Sequence, residues 1–197
     1  MGWACSWIAV HGKPTEILLR ELGLRPSGNR QRRPEAVWSG ALLPNGWYLV
    51  FSSRDCEPAR FADNALATLS GGCQLMAASV EEHVMFCSSA YWKDGRREWS
   101  IVHDGQRGMY NLAADGSPPA SYSSIRATYL AQQDAEGGTK ADIDLVFEIP
   151  LQVGVEVTTF RHDHDFPGAE PIPFEVLDDE RVTESPTGKK PWWRVWW

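Results

Sequence analysis

The stretch Ala36–Ser52, AVWSGALLPNGWYLVFS, contains the strongest fold signal in the chain. Its Asn45-Gly46 dipeptide can adopt the positive φ angles of a tight turn with little strain. The flanking segments, Ala36–Leu43 and Trp47–Ser52, are rich in the aromatic and apolar residues that favour strands. The stretch therefore predicts a β-hairpin within an antiparallel sheet.

A second hairpin is predicted around Asp94-Gly95, joining residues 84–92 to residues 97–103. A two-residue turn sets the register, so the expected pairs are Trp92 with Arg97, Ala90 with Trp99, Ser88 with Ile101 and Phe86 with His103. Further strands are predicted at residues 3–10, 73–80 and 108–113. Residues 25–34 contain two prolines, a glycine and four arginines, and are predicted to form a loop.

Three helices are predicted from apolar stripes that end at glycine, at residues 14–22, 58–69 and 118–135. Residues 143–160 fit two patterns and are left open. The alternation around Val153 and Val155 favours a strand, whereas the spacing of Ile149, Val153 and Val157 favours a helix. Consecutive hairpins with interspersed helices predict an α+β fold, with about three helices packed on one face of an antiparallel sheet.

The domain organisation follows from length and composition. A chain of 197 residues with a hydrophobic content of 43% suits one globular domain, which we place at residues 1–177. Residues 178–191 are rich in acidic residues, proline and glycine, and are predicted to form a solvated linker. Residues 192–197 form a tryptophan-rich tail.

Charge and cysteine usage limit the expected partners and compartment. The net charge is −7, and residues 134–185 carry 14 acidic residues against three basic ones. Because nucleic-acid binding depends on neutralising phosphates, nucleic acid is not an expected partner. We find no secretory signal and no apolar run of membrane-spanning length, and the four cysteines lack CxxC spacing. We therefore expect a cytoplasmic protein with reduced thiols and no cofactor.

Five polar residues are predicted to gather at one end of the sheet. Glu81, Glu82 and His83 lie between two predicted strands, and the second hairpin returns His103 and Asp104 to the same end. We call these five residues the sheet-end group. Histidines and carboxylates suit general acid–base catalysis or a divalent metal. The alternative, which we favour, is a polar strand end that bonds to its neighbours and to water.

The run His162-Asp163-His164-Asp165 also contains metal-ligating residue types. Adjacent side chains point in different directions in a helix or a strand, so one ion cannot readily collect all four. No helical HExxH spacing supports such a site. An exposed acidic turn is the preferred interpretation, and no metal site is predicted.

Cysteines and arginines provide two further candidates. Cys73 and Cys87 sit in apolar surroundings and are predicted to be core thiols rather than nucleophiles. Four arginines in the predicted loop could bind phosphate, an acidic partner or the chain's own acidic segment: Arg25, Arg30, Arg32 and Arg33. We favour intramolecular or solvated roles for them.

The tail carries the main binding prediction. Its residues Trp192, Trp193, Arg194, Trp196 and Trp197 combine four indoles with a basic group. Four indoles can bury about 600–1,000 Å² in total, which exceeds the apolar patch that a soluble monomer usually exposes. We therefore expect a receiving surface on the same domain or on a second copy. A protein partner ranks next, and weak contact with a membrane surface ranks third.

Three stretches carry a resemblance to a known group of proteins. They are Ser6–Lys13 (SWIAVHGK), Val80–Arg96 (VEEHVMF through WKDGR) and Arg161–Asp163 (RHD). In these stretches the chain resembles a group of short bacterial proteins with no assigned function. The resemblance implies a bacterial cytosolic protein, and it carries over no catalytic or binding residue.

These observations predict a non-catalytic interaction or accessory protein of the bacterial cytosol. Its expected partner is another protein or a second copy of the chain, met through the tail. The alternative is a hydrolase or metal-dependent enzyme that uses the sheet-end group.

Overall fold

The computed structural model describes residues 2–53, 60–171 and 173–181. Within these ranges the chain forms nine strands and four α-helices. The strands are β1 Ala4–His11, β2 Leu24–Gln31, β3 Trp38–Leu42, β4 Tyr48–Ser52, β5 Gln74–Glu81, β6 Phe86–Lys93, β7 Arg96–Asp104, β8 Leu112–Gly116 and β9 Phe174–Asp179. The helices are α1 Thr15–Leu22, α2 Asp63–Leu69, α3 Ser121–Ala135 and α4 Glu148–Thr158.

All nine strands belong to one sheet in the order β2-β9-β3-β4-β1-β5-β6-β7-β8. Every neighbouring pair runs antiparallel. The α+β class with an antiparallel sheet is therefore confirmed. The strand β9, which comes last along the described chain, lies between two strands from its beginning.

The first predicted hairpin is present as β3 and β4. Leu42 lies opposite Tyr48, and the N–H of Leu43 donates to the carbonyl oxygen of Trp47 at 2.8 Å. Gly46 has a φ of 84°, a left-handed conformation that glycine adopts without a steric cost. The Asn-Gly signal therefore located the turn correctly.

The second hairpin forms with a change of register. Trp92 lies opposite Arg97 as predicted, but Tyr91 lies opposite Trp99, so Glu98 is the extra residue of a β-bulge. The predicted pairs beyond the bulge are therefore wrong by one residue, and His103 faces Cys87 rather than Phe86. The bulge turns Trp99 to the face where it stacks on Tyr91, with ring centroids 6.0 Å apart. Burial of Trp99 explains this register, because a one-residue slip moves side chains to the opposite face.

Residues 24–31 form an edge strand rather than the predicted loop. β2 pairs only with β9 among the described strands, and its register shifts between Pro26 and Arg30. An edge strand tolerates proline because one row of its backbone groups faces away from the sheet. Gly28, with a φ of 85°, lies inside the irregular part.

Helices cover both faces of the sheet, so the predicted single covered face is wrong. On one face, α4 contributes Leu151 and Val153 to a core that also contains Trp7 and Phe51. On the other face, α1 and α2 pack against Ile8, Val10 and Leu75. The residues of β1 alternate between the two cores, as expected for a central strand buried on both sides.

The open segment 143–160 contains α4, so the helical pattern prevails. Pro150 lies in the first turn of this helix, where its missing N–H removes no intrahelical hydrogen bond. Ile149, Leu151 and Val153 are all buried, which explains why the segment also matched the apolar alternation of a strand.

The C-terminal boundary of the described chain lies just past β9. This strand includes Asp178 and Asp179, two residues beyond the predicted domain boundary at 177. The rest of the predicted linker from residue 182, and the tail, lie outside the described residues. None of the helices in the described ranges is long and apolar enough to cross a membrane.

Candidate functional site

The sheet-end group lies at one end of β5, β6 and β7. Glu81 and His83 bond to each other, whereas Glu82, His103 and Asp104 have partners outside the group. The register aligns Glu81 with Phe86 and Phe86 with Asp104. Nδ1 of the exposed His83 lies 2.6 Å from Oε1 of Glu81. Asp104 accepts the N–H of Gln106 at 3.2 Å and pairs with Arg107 at 3.0 Å. These contacts are local to the two turns.

His103 is fully buried and bonds to a residue that the sequence did not single out. Its Nε2 lies 2.9 Å from Oδ2 of Asp144, whose Oδ1 accepts the N–H groups of Val146 and Phe147. Asp144 thus ties β7 to the backbone that leads into α4. His83, by contrast, has 63% of its side chain exposed, so the two histidines of the group occupy different environments. The catalytic role proposed for the group stays a prediction.

The cysteines in the described part of the chain are Cys5, Cys73 and Cys87, and all three are buried. Burial raises the pKa of Cys87 well above its ordinary value, and the nearby Glu148 and Asp144 raise it further. Its Sγ donates to the carbonyl oxygen of Phe147 at 2.9 Å. Burial also raises the pKa of Cys73. Thiols of this kind are poor nucleophiles near neutral pH.

A cavity of about 330 Å³ lies where the segment after α4 meets the N-terminal segment and the residues after β2. Among the described residues its walls combine aromatic rings, prolines and charged groups. The lining consists of Trp3, Arg32, Arg33, Pro34, Phe160, His162, Asp163, His164, Asp165, Phe166, Gly168, Glu170, Pro171, Pro173 and Phe174. We call it the His162 cavity.

His162 is a buried imidazole in the wall of this cavity. Only 1% of its side chain is exposed, and neither ring nitrogen has a hydrogen-bond partner in the described ranges. Nε2 lies 3.8 Å from Oε1 of Glu82, and Nδ1 lies 3.9 Å from Oδ1 of Asp163. Burial lowers the pKa of His162, against the attraction of the Asp163 and Glu82 carboxylates. A neutral, unpartnered imidazole at this depth is uncommon and calls for an explanation.

Glu82 connects this histidine to the N-terminal segment. Its Oε2 accepts the N–H of Trp3 at 2.8 Å, and its own N–H donates to the carbonyl oxygen of Trp3 at 2.9 Å. These two bonds hold the Trp3 indole edge-on to His162, with ring centroids 5.5 Å apart. Glu82 therefore positions one wall of the cavity.

The HDHD run lines the His162 cavity without forming a metal cluster with the other described residues. Asp163 is held by Arg161 through two hydrogen bonds of 2.6 and 3.1 Å, and Arg161 also pairs with Glu148 at 2.6 Å. Partial burial alone would raise the pKa of Asp163, but the hydrogen bonds from Arg161 hold that pKa below its ordinary value. In the described ranges no three histidine, cysteine, aspartate or glutamate residues are placed to hold a metal ion.

The four arginines of the predicted loop divide into two pairs. Arg25 lies 3.4 Å from Asp178 and 3.9 Å from Glu180, and Arg30 donates to the carbonyl oxygen of Pro173 at 3.2 Å. These two arginines contact the chain's own acidic segment, as we favoured. Arg32 and Arg33 are exposed at the His162 cavity and have no ion pair with any residue that the structure describes.

Sequence analysis identified parts of this cavity without connecting them. The HDHD run and the arginine cluster were both singled out, yet 130 residues separate them, and no local pattern shows that they meet. Trp3, Arg161 and Asp144 were not expected to have a role. The predicted binding residues of the tail lie outside the described residues, so their role stays a prediction.

We compared the chain with family models, curated proteins and solved structures, and found no match.

Proposed function

We propose that this protein is a non-catalytic interaction protein of the bacterial cytosol, and that the His162 cavity accepts an acidic side chain of a protein partner. The observation that supports the proposal is the pair Arg32 and Arg33, which line the cavity without an acidic partner among the described residues. Guanidinium groups bind carboxylates through two parallel hydrogen bonds, and arginine is enriched at interface hot spots.

The arginines share the wall of the cavity with carboxylates. Asp163, Asp165 and Glu170 line the same cavity, and Asp163 pairs with Arg161, which also pairs with Glu148. His162 is neutral near pH 7 because burial lowers its pKa, so it adds no positive charge to the wall of the cavity. Arg32 and Arg33 therefore provide the available positive charge in the wall.

The buried histidine of the lining does not favour catalysis. The ring nitrogens of His162 are covered, and a general base must come within hydrogen-bond reach of the proton that it abstracts. The described lining contains no serine, threonine, cysteine, lysine or tyrosine, so His164 and the carboxylates are its remaining groups that could act as a base or a nucleophile. The tail residues 192–197 remain a proposed second contact for the same partner.

A defined acidic peptide tests this proposal. We expect an end-capped Gly-Glu-Gly-Glu-Gly peptide to bind more tightly than its glutamine counterpart in calorimetric titrations at low salt. The double variant Arg32→Ala with Arg33→Ala should lose at least about tenfold in affinity, since two charge-assisted contacts are removed. A matched double variant, Arg96→Ala with Arg126→Ala, has the same charge change elsewhere and should bind like the unmodified protein. Equal losses in both variants, or no preference for glutamate, would refute the proposal.

One observation favours the enzymatic alternative. The exposed His83 is oriented by Glu81 at 2.6 Å beside a cleft that Glu82, Asp142 and Glu148 also line. An imidazole oriented by a carboxylate is the arrangement of a general base. If the protein hydrolyses esters through this pair, it should hydrolyse p-nitrophenyl acetate faster than free imidazole does. His83→Ala should then lower the rate to that of free imidazole. An unchanged rate in that variant removes the alternative.

A further inference from the structure

A groove with apolar and acidic walls lies where β5 ends and β6 begins, and it shares no described lining residue with the His162 cavity. We propose that, in the free protein, this groove holds the chain's own tail, residues 192–197, with Lys189 and Lys190 beside it. The inference goes beyond the proposed function and does not depend on it. It follows from the lining of the groove, from its charge and from its position relative to the end of the described chain.

The apolar part of the groove is built around Met85. Two adjoining hollows of about 510 and 540 Å³ share Met85 and Ile143, and Val84 and Met109 line the second of them. Ile143 is 51% exposed and Val84 is 36% exposed, so apolar surface is open to water here. Methionine side chains are flexible, and their sulfur makes favourable contacts with aromatic rings. We call the two hollows together the Met85 groove, and their apolar lining suits indole rings.

The charge of the Met85 groove is negative. Its described lining contains no lysine or arginine but four carboxylates, those of Glu82, Asp142, Asp144 and Glu148. Glu148 pairs with Arg161, but the same guanidinium also pairs with Asp163. Asp142 is exposed and has no ion pair with any residue in the described ranges. A segment that lies in this groove should therefore carry positive charge.

Residues 189–197 have the composition that such a groove requires. Their sequence, KKPWWRVWW, combines three basic side chains with four tryptophans and contains no acidic residue. Opposite charges across an interface favour the matching partner over others, and burial of the indoles removes a large apolar surface from water. The tail and its two lysines therefore complement the groove in both charge and apolar character.

The described chain ends at the same end of the sheet as the Met85 groove. A continuous row crosses the sheet from β9 to β5 through Val176, Ser39, Phe51, Trp7 and Ala78. β9 and β5 each run on three residues from this row in the same direction, to Asp179 and Glu81. Four strand spacings separate these two strands, a distance of about 19 Å. Residues 182–188 can span up to about 23 Å when extended, which is enough to bring Lys189 to the groove.

Methionine methyl NMR of the full chain tests this docking. Met85 and Met109 line the groove, whereas Met76 is fully buried in the core and serves as the internal reference. The comparison is with a full-length variant in which serine replaces the four tryptophans of the tail. Because an indole ring shifts the resonances of protons that lie beside it, we expect the methyl resonances of Met85 and Met109 to differ between the two proteins. The resonance of Met76 should stay unchanged.

A groove variant identifies where the tail lies. Asp142→Lys with Ile143→Ser changes two exposed side chains and should abolish the effect of the indoles on the two methyl groups. The matched control, Glu156→Lys with Leu42→Ser, makes the same kinds of change at exposed positions elsewhere and should retain that effect. Resonances of Met85 and Met109 that are the same with and without the indoles overturn the inference. An indole effect that persists in the groove variant overturns it as well.

Dilution distinguishes docking within one chain from docking between two copies. Contact within one chain does not depend on concentration, so the indole effect should persist when the protein is diluted. Loss of the effect on dilution would assign the tail in the groove to a second copy and would overturn docking within the chain. The glutamate-peptide titration of the His162 cavity does not enter these comparisons, so the proposed function and this inference can each fail alone.

Discussion

The Nε2 atom of His162 lies 3.8 Å from Oε1 of Glu82, close enough for an ion pair but too far for a hydrogen bond. The same carboxylate accepts the N–H of Trp3 through its other oxygen. Protonation of His162 would place a cation between Glu82 and Asp163, yet burial disfavours that charge. The balance between desolvation and these two carboxylates makes the region sensitive to pH.

We expect the free energy of unfolding to decrease as the pH falls below about 6.5, the ordinary pKa of histidine. The pKa of His162 is lowered in the folded protein, so the unfolded chain takes up the proton first and is stabilised by it. His162→Gln, which does not titrate, should reduce this decrease between pH 7 and the folded-state pKa. Urea unfolding at intervals from pH 7.5 to 5 measures the difference. Parallel curves for the two proteins would contradict the expectation.

Ligand binding should shift the same equilibrium. A carboxylate bound beside Arg32 and Arg33 adds negative charge near His162 and raises its pKa, so the complex takes up protons. We expect the affinity for the Gly-Glu-Gly-Glu-Gly peptide to increase as the pH falls from 7.5 to 6. Calorimetric titrations in buffers of different ionisation enthalpy measure the uptake directly. In His162→Gln the uptake should disappear, and its persistence would assign the proton to another group.

Asp144 links β7 to α4 through one largely buried carboxylate, with 9% of its side chain exposed. We expect Asp144→Ala to lower the free energy of unfolding by about 2–4 kcal/mol, because His103 and two backbone N–H groups lose their acceptor. Asp142→Ala, two residues earlier and exposed, is the matched control and should change it by less than about 0.5 kcal/mol. Denaturant unfolding distinguishes the two, and similar losses would show that the His103 pair contributes little.

The last residue of β8, Gly116, approaches the bulge closely. A Cβ added to Gly116, which has a φ of 75°, would collide with the carbonyl oxygen of Glu98. Gly72 has a similar φ of 70° and nothing within 4 Å of such an atom. We therefore expect Gly116→Ala to cost at least about 1 kcal/mol more than Gly72→Ala, which pays only the left-handed penalty. Equal costs in thermal or urea unfolding would mean that the two strands separate easily here.

A test of the binding role predicted for the tail requires the full-length protein. Truncation after Pro191 should leave the domain folded and weaken association with its partner or with a second copy, because four indoles are removed. A full-length variant with those tryptophans replaced by serine separates the indoles from the basic residues. Sedimentation measures self-association, urea unfolding reports docking on the same domain, and pull-down profiles with and without the tail report partner binding. No change in any of the three would remove the role assigned to the tail.

Features that depend on neighbouring residues could be predicted from the sequence. The turn at Gly46 and the end of α1 at Gly23 both follow from left-handed backbone that glycine favours. Both hairpins were located for the same reason. The register past Trp92 could not be predicted, because it depends on which face of the sheet buries Trp99.

Features that depend on distant residues could not be predicted. The sequence predicts a loop where the structure has β2, because the composition of β2 is polar and its partner β9 lies about 150 residues later. The His162 cavity was missed for the same reason, since Trp3, Arg32 and Phe174 come from three separate parts of the chain. The sheet-end group was expected because the predicted hairpin register places its members at one end of the sheet. In the structure, however, His103 bonds to Asp144, which lies in the segment before α4.

The position of β9 has a consequence for biosynthesis. Leu24 lies opposite Asp179, and Ser39 lies opposite Val176, so β9 fills a gap between two strands that leave the ribosome long before it. Until that strand emerges, β2 has no described strand to pair with and β3 keeps one edge open. Contacts of such long sequence separation slow folding and expose unpaired edges to aggregation. A nascent chain stalled before residue 174 would therefore depend on chaperones, and it would lack Phe174 from the wall of its cavity.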